Sequence, residues 1–441
     1  MCYGLPMVRC FWLFLGLGIV LATPSVSCSQ GQEGDKDSLQ KAFKENSGRR
    51  DKLFSGEQPA TAGDNSDKKI AVAAANWYIF RVTHVKENPL DVHKEFSAEI
   101  VKMMEKTFDK KDRNNRVFIN MFGPELVSSM KKVLARDINT DQSTVINAAM
   151  MLPTMAKLKQ DDVSDYLIEL VNDSKTHDVV RLYALKGLKE AMPITIQPGD
   201  DLELTDKAQN DKRKRDAKLV DSLTKYIEQP FNVEGKSAEE VDAVRFIRRE
   251  AIFTLAHAGA PAVLAVNKKK KEMLQGAVAP TLLKVLAGGD IKQPPPSLQE
   301  KIEAALGLCA MKYPNMPEYD PGVAAYLIGR TIMDFLDDYN KDYANIAAAG
   351  PARKIPHIGY KTEAKRLSDG LTDFAKNAKI PSATTLKDLA VPILAGMAKS
   401  TTYLQTNNAL VNALRKQVET FRPEKGKIFK TLSNPPPINL P

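Results

Sequence analysis

The chain has 441 residues, of which 43% are hydrophobic, 27% charged and 7% aromatic, and its formal net charge is +9. This length excludes a chain too small to bury a core, and it allows one elongated domain or two to three compact ones. The positive balance permits contact with acidic polymers or anionic lipid surfaces, although a well-solvated surface with a slight basic excess is the simpler explanation.

Residues 1–27 have the pattern of a secretory signal peptide. Arg9 is the only charged residue among the first 32, and an uncharged, mostly apolar run from Cys10 to Ala22 follows it. A basic start, a short apolar core and small residues at the end are typical of such peptides. Cleavage fits after Ala22 or after Ser27. The run is short for a membrane span, which needs about 20 residues, but an uncleaved anchor stays an alternative.

Lipidation of Cys28 is a third interpretation of this end of the chain. The sequence from Ser25 to Cys28 resembles a weak bacterial lipobox, in which Cys28 would become the acylated first residue. The segment departs from the family pattern at Ser25, where leucine is usual. It also lies several residues beyond the apolar run.

Cysteine use predicts a fold that does not rely on disulfides. Cys2, Cys10 and Cys28 lie in or beside the leader, and Cys309 alone remains in the folded part. One cysteine cannot form a structural zinc site, and secreted eukaryotic domains more often carry paired cysteines. We therefore expect bacterial export to the periplasm or cell envelope, with membrane anchoring and secretion both open.

Two segments are expected to lack a packed core. Residues 28–68 are rich in Gly, Asp, Lys, Ser and Gln, and they are predicted to form a disordered linker because low hydrophobicity with high charge does not support a core. Residues 423–441, which end in NPPPINLP, are predicted to form a disordered, proline-rich tail.

The clearest helix is predicted over residues 176–192. Val180, Ala184 and Leu188 lie four residues apart on one apolar face, so this helix must be buried on several sides. The amphipathic segment 161–172 precedes it across a short polar turn. The two segments are predicted to form one helix pair, with the second helix on the inside.

The same spacing returns at residues 238–259, where Arg248 occupies the place of Arg181. The repeated apolar positions are Ile247, Ala251 and Leu255. Because Arg181 lies on the wet side of its helix, Arg181 and Arg248 are the candidates for contact with a partner. No segment alternates convincingly in the manner of strands, so an all-α fold is expected.

The inner-helix pattern D-x-V-R-x-x-A-x-x-x-L resembles that of the HEAT-repeat family. The residues that carry it are Asp178, Val180, Arg181, Ala184 and Leu188, with looser copies at Val244, Arg248, Ala251 and Leu255 and at Thr144, Ala148 and Leu152. The resemblance implies a HEAT-like α-solenoid over residues 69–313 whose concave surface binds proteins and has no chemistry of its own. An irregular helical bundle is the alternative. A leader joined to a degenerate array is also similar to uncharacterised exported proteins of planctomycete-type bacteria.

Two basic segments interrupt the pattern, and both are predicted to be surface loops. Residues 194–218 are interpreted as an insertion, and a second loop follows the 238–259 helix. The candidate contacts to an acidic partner, or to an anionic surface or polymer, are Lys212, Arg213, Lys214, Arg215, Lys268, Lys269, Lys270 and Lys271. Well-solvated loops without a ligand are the alternative.

The region 314–422 is predicted to be helical but less regular. Tyr326, Arg330, Asp334 and Asp338 recur every four residues and so share one helical face. This face is the candidate site if the protein is an exported enzyme or enzyme subunit. A salt-bridged surface stripe is the other interpretation of the same residues.

Known catalytic signatures were not found in the sequence. There is no H-E-x-x-H, no G-x-S-x-G elbow, no Walker loop and no C-x-x-C pair. No catalytic, cofactor-binding or metal-binding residue is therefore predicted. Nucleic-acid binding is not expected, because the basic loops lack interleaved aromatic residues. The sequence thus favours an exported, non-catalytic scaffold that binds another protein through a helical-repeat surface.

Overall fold

The computed structural model describes residues 31–61, 63–84, 88–107, 114–192, 206–266, 272–291, 293–312, 319–348, 358–400 and 406–423. Within these ranges the fold is all-α, as the sequence predicts, apart from one two-stranded hairpin. The predicted leader, the lipidation candidate Cys28 and the tail from residue 424 lie outside the described residues.

The described part begins with two helices where a disordered linker was expected. They are α1 (Gly31–Glu45) and α2 (Ser47–Phe54). Leu53 and Phe54 are buried, and Phe54 packs edge-on against Phe118 and Phe122 at centroid distances of 5.4 and 5.6 Å. The prediction was wrong here because average composition hides a few large apolar side chains that find partners far along the chain.

Five helices follow: α3 (Asn65–Thr83), α4 (Pro89–Thr107), α5 (Asn114–Leu134), α6 (Gln142–Ala149) and α7 (Leu152–Ala156). Helix α3 is joined to α2 by the ion pair of Arg49 with the buried Asp67, at 2.8 Å. Pro153 lies in the first turn of α7, where a missing N–H costs nothing. A proline inside an otherwise helical segment predicts a kink or break, and the helix indeed stops at Ala149 and restarts at Leu152.

The middle of the chain contains the predicted helix pair. The elements are α8 (Asp161–Asn172), α9 (Asp178–Ala191), α10 (Asp206–Glu228), α11 (Ala238–Ala256), β1 (Ala262–Val266), β2 (Glu272–Ala277), α12 (Val278–Ala287) and α13 (Leu298–Ala310). In α9 the apolar face of Val180, Ala184 and Leu188 is buried, as expected.

The segment predicted as an inserted surface loop contains the start of α10. Residues 193–205 lie outside the described residues, but the helix begins at Asp206 and includes the whole basic run. Leu219, Val220 and Leu223, which follow the run, are buried. The loop prediction was wrong from residue 206 because the C-terminal half of α10 is anchored by buried apolar residues, and the basic run continues the same helix toward its N-terminus.

A β-hairpin was not expected. Strand β1 pairs antiparallel with β2, and the basic residues Lys268–Lys271 between the strands lie outside the described residues. At Gly276 a Cβ atom would lie 3.0 Å from the side chain of Val220, so the hairpin packs closely on α10. The sequence signal failed because two short strands show too little alternation to be distinguished from loop.

The remaining helices are α14 (Gly322–Ala348), α15 (Ile358–Ala378), α16 (Pro381–Lys399) and α17 (Asn408–Thr420). From α7 onward the helices form two rows by contact. Neighbouring members of α7, α9, α11, α13 and α15 touch, and so do neighbouring members of α8, α10, α12 and α14. We call these the inner row and the outer row. Helix α10 is thus the outer partner of α11, and both rows continue past residue 313.

Candidate binding surface on the inner row

Arg181, a predicted partner contact, lies inside the α8–α9 pair. Its residue surface is 9% exposed. Its Nε donates to the Val171 carbonyl at 3.2 Å, its Nη2 donates to the Asp173 carbonyl at 2.9 Å, and its Nη1 donates to the Asp178 carboxylate. The side chain therefore fastens the turn between the two helices.

Arg248, the second predicted contact, is 0% exposed. Its Nε donates to Oε1 of Glu300 at 2.6 Å, and its Nη1 donates to the Pro294 carbonyl at 2.9 Å. Glu300 is also 0% exposed and forms a capping box with Ser297 at the start of α13. The prediction that Arg181 and Arg248 contact a partner was wrong, because both side chains are buried. Neighbouring helices pack over faces that would be exposed to solvent on an isolated helix.

The other predicted contacts are only partly described. Arg213, Lys214 and Arg215 lie on α10, and Arg215 pairs with the buried Asp216 at 3.2 Å. Lys212 belongs to the same helix. These residues are part of a helix rather than of a loop, whereas Lys268, Lys269, Lys270 and Lys271 lie outside the described residues.

The face proposed for an exported enzyme is a set of interhelical contacts. Tyr326 is buried. Arg330 pairs with Glu419 of α17 at 3.5 Å, Asp334 pairs with Lys301 of α13 at 3.2 Å, and Asp338 accepts a 2.8 Å hydrogen bond from Tyr360 of α15. Three of the four side chains thus bind three different helices, as in a stripe of surface contacts, whereas Tyr326 is buried and accepts a hydrogen bond from Arg330 of its own helix. Among the described residues, no group of His, Cys, Asp and Glu is arranged to hold a metal ion.

A different set of side chains forms a continuous outward face on the inner row. The Lys186 ammonium lies 5.0 Å from the Tyr183 ring on α9, and the Arg249 guanidinium lies 5.4 Å from the Phe246 ring on α11. A third pair joins the two helices, with the Lys189 ammonium 4.4 Å from the Phe253 ring. We call these six residues the aromatic–basic face.

The helical period explains why this face is outward. Tyr183, Lys186 and Lys189 recur every three residues on α9, so they share a side of the helix that the buried residues leave free. On α11, Phe246 is 41% exposed and is among the most exposed large hydrophobic residues described. Cations over aromatic rings contribute about 0.5–1 kcal/mol at exposed sites and hold the rings in place.

An acidic cluster continues the face toward α13 and α15. Arg366 donates to Glu303 at 2.6 Å and to Glu363 at 2.9 Å. Burial raises the pKa of Glu363 although Arg366, and more weakly Arg249, favour its charged form. The inner row therefore passes from aromatic and basic groups to a network of paired charges. Arginine and aromatic side chains of this kind are enriched where proteins bind one another.

Part of the aromatic–basic face was visible in the sequence but was not recognised there as a binding surface. Lys186 and Lys189 mark the wet side of α9, but Tyr183 looks like an extension of the apolar side. Phe246 and Phe253 are seven residues apart, a spacing that places both rings on the apolar, buried side when α11 is considered as an isolated helix. Only the neighbouring helix shows that a lysine of α9 covers an aromatic ring of α11.

Comparison with family models, curated proteins and solved structures finds no match to this chain. Within the described ranges, no helix combines the length and the apolar character that crossing a membrane requires.

Proposed function

We propose that this protein is an exported, non-catalytic scaffold with a HEAT-like helical array that binds another protein through the aromatic–basic face. The observation that carries the proposal is the set of three cation–aromatic pairs on consecutive inner helices. The two rows of helices support the array, because each helix contacts its neighbours in the same row. Export rests on the signal-peptide pattern of residues 1–27.

The chemistry of the face indicates the kind of partner. Phe246 and Phe253 offer apolar area at low entropic cost, while Lys186, Lys189 and Arg249 add positive charge around them. An acidic segment that carries an apolar or aromatic anchor complements both properties. Burying the exposed Phe246 ring would make it the strongest contact, because binding energy concentrates in aromatic and arginine anchors near the centre of an interface.

The test is a pull-down from envelope extract with matched surface variants. Phe246→Ser/Arg249→Ser removes the most exposed part of the face. Leu410→Ser on α17 is the control, because Leu410 is 39% exposed, close to the 41% of Phe246. We expect the wild type and the control to recover the same partner, and the double variant to bind it at least about 30-fold more weakly, the effect of losing one 2 kcal/mol anchor. Equal recovery by all three proteins, or no specific partner for any, contradicts the proposal.

A further inference from the structure

A second surface feature lies at the other end of the described chain, in the segment expected to be disordered. A groove of about 420 Å³ is bounded by α1, α2, α3 and α4. Its basic lining residues are Lys36, Lys44, Arg50 and Arg81, and the acidic residue in its described lining is Glu95. The volume is within the range of small binding pockets, and the charge favours an anionic ligand.

Aromatic rings form the groove wall, and two arginines hold them. The Arg50 guanidinium lies 3.8 Å from the Phe43 ring, which stacks on Trp77 at a centroid distance of 5.7 Å. Arg50 Nη1 donates to the Phe43 carbonyl at 3.0 Å. Arg81 lies 5.7 Å from Trp77 and donates to Glu95 at 2.7 Å. Both guanidinium groups therefore already have protein partners, and they shape the wall.

The lysines are placed differently. Lys36, Gln40 and Lys44 line the groove and lie at intervals of four residues, so they share one face of α1. Among the described residues, neither lysine forms an ion pair. Eight residues of helix span about 12 Å, so the two lysines enter the groove at well-separated points along α1. The ligand that matches them is elongated and carries two separated negative charges.

A buried carboxylate ties together two of the helices that bound the groove. Asp67 is 0% exposed and accepts hydrogen bonds from Arg49 at 2.8 and 3.0 Å and from the Thr61 N–H at 3.1 Å. The bonds from Arg49 join α2 to α3, which carries Trp77 of the aromatic wall. A rigid wall lowers the entropic cost of binding.

We propose that this groove binds an extended acidic peptide segment, with two carboxylates at Lys36 and Lys44 and an apolar side chain between them on Phe43 and Trp77. An extended chain advances about 3.3 Å per residue, so carboxylates three or four residues apart match the lysine spacing. A phosphate-specific site would use free guanidinium forks or a helix N-terminus, whereas the forks here are occupied. This site is separate from the aromatic–basic face and does not depend on the proposed function.

Trp77 gives a direct measurement. The chain has two tryptophans, Trp12 in the predicted leader and Trp77 in the groove, so in a Trp12→Phe chain the emission reports the groove alone. The probes are a peptide with two glutamates separated by three residues, an isomer with the glutamates adjacent, a glutamine analogue and inorganic polyphosphate. We expect the spaced peptide to shift the Trp77 emission and to bind at least about tenfold more tightly than its isomer.

Charge-matched variants separate a specific site from general attraction. Lys36→Gln/Lys44→Gln is expected to weaken binding of the spaced peptide at least about tenfold. Lys376→Gln/Lys416→Gln, on exposed positions of α15 and α17, removes the same charge elsewhere and should leave binding within about twofold. Equal losses in both variants, no emission shift, equal binding of the two isomers, or tighter binding of polyphosphate than of the spaced peptide would each overturn the proposal.

Discussion

Two arginines at the same place in the helix pattern join different parts of the molecule. Arg181 of α9 binds the turn within its own pair, through the carbonyls of Val171 and Asp173. Arg248 of α11 reaches out of its pair, to the Pro294 carbonyl and to Glu300 at the start of α13. The first contact closes one helix pair, and the second joins consecutive pairs. Arginines at equivalent positions of the helix pattern therefore join different parts of the structure.

Burial is the physical basis of the difference. The Arg181 side chain is 11% exposed and its partner Asp178 is 54% exposed, whereas the side chains of Arg248 and Glu300 are both 0% exposed. Water can reach the Asp178 carboxylate and can replace some of the hydrogen bonds that Arg181 makes. It cannot reach the ion pair of Arg248 with Glu300. A buried charge without its partner is much more costly than an exposed one. The comparison predicts a clear order of effects.

The largest effect is expected from Arg248→Met. This substitution leaves the Glu300 carboxylate buried without a cation and should lower the free energy of unfolding by about 3–5 kcal/mol, measured by urea denaturation. Arg248→Met/Glu300→Gln should recover part of the loss, because the uncompensated charge is gone. A single variant within about 1 kcal/mol of the wild type would show that this ion pair does not join the helix pairs.

Two glycines give the next comparison. At Gly307 of α13 an added Cβ would lie 2.6 Å from the Ala256 Cβ, an atom fixed to the backbone of α11. Gly307→Ala should therefore destabilise by about 1–3 kcal/mol through overpacking, measured by thermal unfolding.

At Gly187 of α9 the two nearest atoms, 3.0 and 3.1 Å away, belong to the flexible end of Leu167, and the backbone oxygen of Leu152 follows at 3.3 Å. Alanine has a helix propensity about 1 kcal/mol better than glycine, so Gly187→Ala should change stability little. A greater loss of stability for Gly187→Ala than for Gly307→Ala would contradict this order. It would mean that α8 and α9 pack more tightly at Gly187 than α11 and α13 do at Gly307.

Arg181→Met is expected to have a smaller and more local effect. The loss should be about 1–2 kcal/mol, since two hydrogen bonds to turn carbonyls disappear and solvent reaches the turn. Hydrogen exchange should accelerate at the amides of residues 173–177 and remain unchanged in α13. Faster exchange in α13 would contradict the local role of Arg181.

The smallest effect concerns His93, whose Nε2 lies 3.2 Å from the Asn147 carbonyl and so links α4 to α6. Burial lowers the pKa of His93 from its ordinary value of 6.5, and the hydrogen bond opposes this only in part. The folded protein therefore binds fewer protons here than the unfolded chain does. Its contribution to stability is present above pH 6.5 and falls as the pH drops through 6.5 toward the folded pKa. His93→Gln should lose this component in pH-dependent urea titrations, and an unchanged slope would contradict it.

Local patterns in the sequence were sufficient for much of the fold. The apolar face of α9, the break at Pro153 and the pairing of α8 with α9 all follow from helical spacing and proline geometry, which act over a few residues. The failures were at longer range. The helices of the predicted linker depend on contacts between Phe54 and α5, and the first turns of α10 depend on the buried half of the same helix.

The candidate sites were predicted less well than the fold. Sequence spacing identified Arg181 and Arg248 as candidates for contact with a partner. Both are buried, because the exposure of a side chain depends on which helix packs over it. The aromatic–basic face requires Lys189 of α9 to lie over Phe253 of α11, and the groove requires Phe43 of α1 to stack on Trp77 of α3. No pattern within one helix contains such pairs.

The sequence by itself determined the all-α class and the buried face of the clearest helix, because helical periodicity and proline geometry are local properties of the chain. Only the tertiary structure showed that Arg181 and Arg248, which lie on apparently solvent-exposed faces of their helices, form internal contacts. It also showed that a charged segment near the N-terminus lines a groove, and that a lysine of one helix lies over an aromatic ring of the next. The physical reason is that burial and charge pairing depend on neighbours distant in sequence, whose positions follow only from packing of the whole chain.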